Sequence, residues 1–407
     1  MKRVAVIGGG AAGMMAAAMA AESGAAVTVY ERNDRVGKKI LATGNGKCNF
    51  SNRDFSAEDY YGNREKLERC FRQFSVGDTV RFFEAEGMLV KEKKGYLYPL
   101  SEQAATVLDV LRFRLQRLSV KTELQAKAEK ITKKAGGEGF IVQADGRVTE
   151  WDSVILACGG MAAPKTGSDG SGYLLAESLA HHIVPAVPAL VQLRCGNGFF
   201  QMTAGVRCEA GLKLYGEEKL IQEETGELQF TDYGISGIPV FQFSRQAAYL
   251  LKEGKKVSVY IDLLPEMSRQ EFEEMCALRI GCAGDKTLEE FLLGMANKKI
   301  NLLMIKLAGR KPQDAAQSAG ANGLKRLLAS YRELRVSVTE TNSFEHAQVT
   351  AGGVDMREVT DSLESVKAPG LFFAGEILDV DGRCGGYNLQ WAWTSGYIAG
   401  KNAAMEK

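Results

Sequence analysis

The strongest constraint on this chain lies at its very start. Val4 to Ile7 is a short apolar run that ends on Gly8-x-Gly10-x-x-Gly13. An alanine- and methionine-rich stretch, Ala11 to Ser23, follows and is stopped by Gly24. The apolar run ending in glycines predicts a buried parallel strand, and the stretch after it predicts a helix. Ala26 to Tyr30 predicts a second buried strand that ends at Glu31. Together they make a complete strand–helix–strand unit.

Each glycine of such a turn has its own work. Gly8 permits the tight turn, Gly10 lets a pyrophosphate approach the backbone, and Gly13 allows the helix to sit close on the strand. The helix N-terminus then offers unpaired amides and a partial positive charge to phosphate. Glu31 lies eighteen residues after Gly13, at the end of the second strand, where an acid hydrogen-bonds ribose hydroxyls. It argues against a 2′-phosphate, but FAD and NAD both remain open, since either ADP moiety fits. The far end of the chain decides for FAD. There Gly375-Glu376 follows the buried run Leu371 to Ala374, and Gly385-Gly386-Tyr387-Asn388 opens a helix from Asn388. A second positive helix end near the flavin N1–C2 carbonyl region stabilises the anionic reduced ring.

The chain has 407 residues, enough for two or three domains. Its formal net charge of +1 gives no electrostatic argument for nucleic acid or an anionic membrane. Lys2, Arg3 and the apolar stretch after them imitate a secretory leader, but Gly8, Gly9, Gly10 and Gly13 interrupt it and Glu22 follows. No apolar run approaches the ~20 residues that span a bilayer. The eight cysteines include no CxxC pair, and with three histidines they make no zinc spacing. Scattered thiols of this kind read as reduced, in a cytoplasmic protein.

Between the two nucleotide motifs the character changes twice. Gly37 to Asn52 reads as loop, Glu65 to Phe74 and Gly77 to Ala85 as amphipathic helices, and Glu102 to Leu118 as a longer one. Alternating strands run from Val120 to Trp151, with a hairpin turn at Asp145-Gly146, and Val154 to Ala157 is another buried strand. Residues 190–262 carry short β-type runs, whereas 266–332 read as helical, with capping-box spacing at Ser268/Glu271 and Thr287/Glu290. Arg335 to Thr339 returns to strand. The expected organisation is a discontinuous α/β domain, residues 1–188 and 345–407. It is interrupted by a β-rich domain, 189–265 and 333–344, and a helical subdomain, 266–332.

The strings Gly37-Lys38-Lys39, Thr43-Gly44-Asn45-Gly46-Lys47-Cys48-Asn49, Thr350-Ala351-Gly352-Gly353-Val354 and Gly385-Gly386-Tyr387-Asn388-Leu389-Gln390 resemble one family. It comprises the bacterial flavoproteins labelled aminoacetone-oxidase-like or BaiN-like (bile-acid dehydroxylation reductase), and the resemblance covers essentially the whole chain. It implies FAD, a glutathione-reductase-like Rossmann domain, an inserted β domain and a small helical domain. It puts Gly8, Gly10, Ala12 and Gly13 at the pyrophosphate, and Glu31 and Arg32 at the adenosine ribose with Lys38 and Lys39 nearby. Ala128 would meet adenine through its backbone. Gly44, Asn45, Gly352, Gly375, Glu376, Asp379, Gly386, Asn388 and Leu389 complete the cofactor set, the last four at the ribityl–flavin end. Glu376 stands where many relatives of the wider superfamily place an acid. The Thr350 segment is also similar to the threonine–glycine–glycine segment of fumarate-reductase-like enzymes, without their histidine and arginine machinery. His346 reads as structural.

Tyr387 is the candidate proton donor, with packing against the flavin ring as the other reading. Lys47 is open between a substrate anion, the FAD phosphates and solvent. Cys48 and Cys384 read as small side chains beside the ring, with a thiol facing the flavin or a redox pair as the other reading. Cys158 reads as a small residue after its strand, and Trp391 and Trp393 as core or interface. The turn Gly167 to Gly172 reads as a loop shaping the pocket, with a phosphate-cradling turn as the other reading, and Phe230 to Phe243 as a wall facing substrate. No second GxGxxG marks an NAD(P)H domain, so a nicotinamide donor would share the flavin face, or electrons would come from elsewhere. The expected activity is an FAD-dependent oxidoreductase that reduces an activated C=C bond in a small molecule, with bile-acid-like 3-oxo enones as a substrate class the resemblance implies. An O2-using amine or aminoketone oxidase, and a flavin-dependent RNA-modification or binding protein, are the alternatives. Neither nucleic acid nor membrane is expected as a partner.

Overall fold

The opening apolar run forms the strand Arg3–Ile7, whose last four residues are buried, as fits a strand covered on both faces. It is the middle strand of a five-stranded parallel sheet. The order is Leu371–Phe373, Ser153–Leu156, Arg3–Ile7, Ala26–Glu31, Lys121–Leu124. The chain leaves the middle strand toward Ala26–Glu31 and returns later on its other side, so the glycine turn sits where the strand order reverses. That crevice is where such sheets bind ligands.

The computed structural model describes residues 1–136 and 138–405. Positions 137, 406 and 407, all belonging to the expected cofactor domain, lie outside the described residues. The chain divides into two units, Met1–Pro188 with Ala347–Lys407, and Ala189–His346.

In the first unit the helix Ala11–Glu22 is buried from Ala12 through Met19 and Ala20 on every side. One side faces the sheet and another faces the C-terminal helix Tyr387–Ala403. Small residues let the two backbones touch: a Cβ on Gly396 would lie 2.6 Å from the Ala12 carbonyl oxygen, and one on Gly400 2.2 Å from that of Ala16. The end of the chain thus closes the domain that its beginning starts. A separate antiparallel sheet joins Ala128–Lys133, Phe140–Ala144 and Arg147–Trp151. Its hairpin turns at Asp145 and Gly146 with φ of 47° and 70°, the left-handed pair that suits a two-residue turn.

The loop expected over Gly37 to Asn52 is partly ordered into elements. Lys38–Ala42 is a short helix, Thr43–Gly46 a 3-10 turn, and Ser51–Asn52 pairs with Tyr96 and Leu97. Only Ile40 is buried in the short helix, so there was no periodicity to read; tertiary contacts set it.

The second unit is a closed six-stranded barrel, ordered Leu193–Cys195, Gly234–Ser236, Lys219–Phe230, Arg207–Gly216, Val257–Asp262, Leu334–Thr341. The β reading of 190–262 misses a 15-residue helix, Ile238–Lys252. Its aromatic-rich sequence suits a strand, but Pro239 fits the first helical turn and Val240, Phe243 and Ala247 bury at helical spacing. Both expected capping boxes form, at Ser268/Glu271 and Thr287/Glu290. The helices of 266–332 and the barrel share one hydrophobic core, in which Phe230 and Ile261 of the barrel join Leu303, Leu328 and Tyr331. No helix among the described residues is long and apolar enough to cross a membrane.

Candidate cofactor site

The three motif glycines are required for different reasons. At Gly8, with φ 107°, a Cβ would stand 2.5 Å from the Ala157 carbonyl oxygen; at Gly13 it would stand 1.9 Å from that of Gly8. Nothing lies within 4 Å of a Cβ built on Gly10. The first two glycines are demanded by the fold, and the third opens onto free space. The helix that starts at Ala11 has no side-chain cap, so its first amides are left for a ligand.

Glu31 is buried beneath this loop and braces it. Oε2 accepts from the Gly9 N–H at 2.8 Å, and Oε1 accepts from the Asn33 N–H and Nδ2, both at 2.8 Å. A carboxylate has about four acceptor positions, so one remains for a ribose hydroxyl. Asn33, which the sequence reading passed over, also donates to the Thr166 carbonyl at 3.0 Å and so ties the Gly167 to Gly172 turn to this end of the sheet. Arg32 pairs with Asp169 of that turn. Burial opposes ionisation of Asp169, but hydrogen bonds from Ser171 and Arg32 outweigh it and hold its pKa at about 2. Lys38 Nζ is 2.8 Å from Asp34. Ala128 begins the edge strand of the antiparallel sheet at a register shift, and an edge leaves one row of backbone groups outside the pairing.

Lys39 links the two ends of the chain. Its Nζ is 2.7 Å from Glu376 Oε2, and Glu376 Oε1 accepts from the Thr350 N–H at 2.9 Å. Thr350 Oγ1 in turn accepts from the Met161 and Ala162 N–H groups, at 2.7 and 2.9 Å. Gly352 (φ 95°) and Gly353 (φ 140°) are fixed by neighbouring backbone: their Cβ atoms would meet the Val184 and Pro185 carbonyls at 2.8 Å and the Ile377 carbonyl at 2.6 Å. Gly375, at φ 78°, packs on Ala12, where a Cβ would come within 2.7 Å of the alanine's own. Its N–H donates to Ser395 Oγ and its carbonyl accepts from Trp391 Nε1. Asp379 follows on the chain, its N–H donating to the Val354 carbonyl at 2.9 Å.

Gly386, at φ 95°, precedes the uncapped C-terminal helix. Asn388 clasps the preceding turn, accepting from the Gly382 N–H and donating to its carbonyl, both at 2.8 Å. Leu389 packs half-buried against the core. The segment Phe50 to Asn52 is locked onto this helix. Trp393 Nε1 donates to the Phe50 carbonyl at 2.9 Å, and Ser51 Oγ donates to Gln390 Oε1 at 2.6 Å. Gln390 in turn donates to Thr79 and Thr394. Just before it, Gly44 and Asn45 are exposed and left-handed, and the buried Oδ1 of Asn49 has no hydrogen-bond partner.

The remaining candidates fall as follows. Tyr387 Oη donates to the Asp54 carbonyl at 2.8 Å, and burial pushes its phenol up to about 12. Burial also raises the thiols, Cys48 to about 11 and Cys158 to about 12, with Cys384 shifted the same way. Lys47 is ion-paired with Glu102 at 2.9 Å. Trp391 and Trp393 are core, and exposed His346 belongs to the second unit.

Two uncapped helix starts, free space over Gly10 and an orphaned acceptor beside Gly386 fit an FAD laid between the two ends of the chain. Comparisons with known proteins agree. Residues 2–402 match the family described as HI0933-like protein Rossmann domain. The chain is 43% identical to the 3-dehydro-bile acid delta(4,6)-reductase of Clostridium scindens, over 99% of each. It is 28% identical to the ribosomal RNA dihydrouridine synthase of Haemophilus influenzae, over 96% of each. The solved 3-ketosteroid delta1-dehydrogenase of Sterolibacterium denitrificans shares the fold at a TM-score of 0.52 and 14% identity, covering 99% of this chain and 100% of that one. The chain belongs to the HI0933-like Rossmann family and is an FAD-dependent oxidoreductase.

Proposed function

We propose that the chain reduces a ring carbon–carbon double bond conjugated to a carbonyl, in a small steroid-like 3-oxo enone. The observation that carries this is the 43% identity, over essentially the whole of both chains, with a bile-acid delta(4,6)-reductase. Bound FAD supplies the hydride at N5. In this reading Gly8, Gly10, Ala12 and Gly13 hold the pyrophosphate, and Glu31 and Arg32 the adenosine ribose with Lys38 and Lys39 nearby. Ala128 meets adenine. Gly44, Asn45, Gly352, Gly375 and Glu376 also contact the cofactor, and Asp379, Gly386, Asn388 and Leu389 line the ribityl–flavin end. NADH or NADPH is the electron donor and uses the same flavin face. The setting is cytoplasmic, supported by eight free cysteines. To act as the proton donor, Tyr387 has to give up its bond to the Asp54 carbonyl; Tyr387→Phe tests that role.

A second reading is favoured by the full-length match to a ribosomal RNA dihydrouridine synthase. The uracil 5,6 bond is also a ring double bond conjugated to a carbonyl, so the same hydride chemistry serves it. Anaerobic stopped flow separates the two. Photoreduced holoenzyme is mixed with a 3-oxo-4,6-diene steroid, and dihydrouridine is mapped in ribosomal RNA from a deletion strain. Flavin reoxidation by the steroid supports the first reading. No reoxidation, together with dihydrouridine lost in the deletion strain, overturns it in favour of the second. Peroxide formed with aminoacetone, and neither of the other results, would return the chain to the oxidases.

A further inference from the structure

We infer that Asn49 is a flavin-binding residue whose carboxamide oxygen accepts the hydrogen bond of the isoalloxazine N3–H. This rests on the FAD assignment and deepens it. The Asn49 Oδ1 atom is buried with no hydrogen-bond partner. Leaving a buried acceptor unmet is costly, and folded chains rarely tolerate it without a use. The same oxygen lies 2.8 Å from where a Cβ would stand on Gly386. Gly386 precedes the 17-residue helix Tyr387–Ala403, whose N-terminus has no side-chain cap. One lone acceptor and the open amides of a long helix therefore share a small volume.

That arrangement has a chemical complement. The pyrimidine edge of oxidised isoalloxazine presents two carbonyl oxygens flanking one N–H, the only ring N–H the oxidised flavin has. Helix amides suit a carbonyl; the lone oxygen suits the N–H. A phosphate has no hydrogen to give at neutral pH, so an orphaned oxygen would repel it. The acceptor is also held still. Cys48 before it is fully buried, and Phe50 after it is fixed from both sides, its N–H donating to the Leu97 carbonyl at 2.9 Å and its carbonyl accepting from Trp393 Nε1. An acceptor fixed by its neighbours loses little entropy when the ligand arrives.

The test uses the full chain, stripped of flavin and reconstituted with FAD or with N3-methyl-FAD, whose N–H is blocked. Affinity is read by flavin fluorescence, and folding of the apoprotein by circular dichroism. Asn49→Leu is expected to fold as the parent does and to bind FAD about tenfold more weakly, the ~1.4 kcal/mol of one hydrogen bond. The parent should bind N3-methyl-FAD about tenfold more weakly than FAD, whereas Asn49→Leu should bind the two equally. Equal affinity of the parent for both flavins overturns the inference. So does discrimination that survives in Asn49→Leu; if that variant also loses FAD affinity, the oxygen serves a ribityl hydroxyl instead. Should the parent bind neither flavin, the FAD assignment itself fails.

Discussion

Glu31→Gln separates a structural acid from a ligand-binding one. The carboxylate is 7% exposed and takes three N–H groups, one on Oε2 and two on Oε1. Glutamine keeps the shape but turns one oxygen into a donor. With its nitrogen toward Asn33 it would lose two bonds, so the amide settles with its nitrogen toward Gly9. That forfeits one charge-assisted bond, leaves the Gly9 N–H unmet and weakens the other two, for a total of about 2–4 kcal/mol. All three tryptophans, Trp151, Trp391 and Trp393, lie in the first unit. Tryptophan fluorescence during urea denaturation of the apoprotein therefore reports that unit alone, while FAD affinity is titrated separately. The apoprotein variant should lose that stability with no cofactor present. If it unfolds within ~0.5 kcal/mol of the parent and only FAD affinity falls, Glu31 serves the ribose alone and the bracing argument is wrong.

Gly13→Ala drives a methyl into the Gly8 carbonyl and should cost the apoprotein about 3 kcal/mol. Gly10→Ala, at φ −80° with nothing within 4 Å, should leave apoprotein stability unchanged and cut FAD affinity more than about tenfold; paired melts and titrations check both. Burial pushes the His181 imidazole below its ordinary 6.5, against the opposing pull of Glu358. The folded state then binds fewer protons than the unfolded one, so this contribution is whole above 6.5 and is lost as pH falls. The parent should be less stable at about pH 5.5 than at about pH 7.5, and His181→Gln should lose that part of the slope; an unchanged slope in the variant sinks the assignment. Exposed Cys282 should react with a disulfide reagent in the native protein well before Cys48 or Cys158, whose thiols are pushed up to about 11 and about 12. Fast native labelling of Cys48 would instead revive a redox role for it.

The sequence by itself determined whatever depends on near neighbours. Gly8, Gly10 and Gly13 between an apolar run and a helix, Glu31 at the next strand end, the Asp145-Gly146 hairpin and the Ser268 and Thr287 capping boxes are each written within a few residues. So is the second helix start at Gly386, and with it the choice of FAD. Tertiary structure decided the rest, because those contacts join residues far apart in the chain. Ile238–Lys252 is a helix because one face buries in the barrel core, although its aromatic composition suits a strand. Lys39 meets Glu376 across almost the whole chain. The acid at Glu31 was legible, but its hold on Gly9 was not. The string Cys48-Asn49 was visible from the start; that the asparagine oxygen is buried beside Gly386 without a partner appears only once both ends of the chain are packed together.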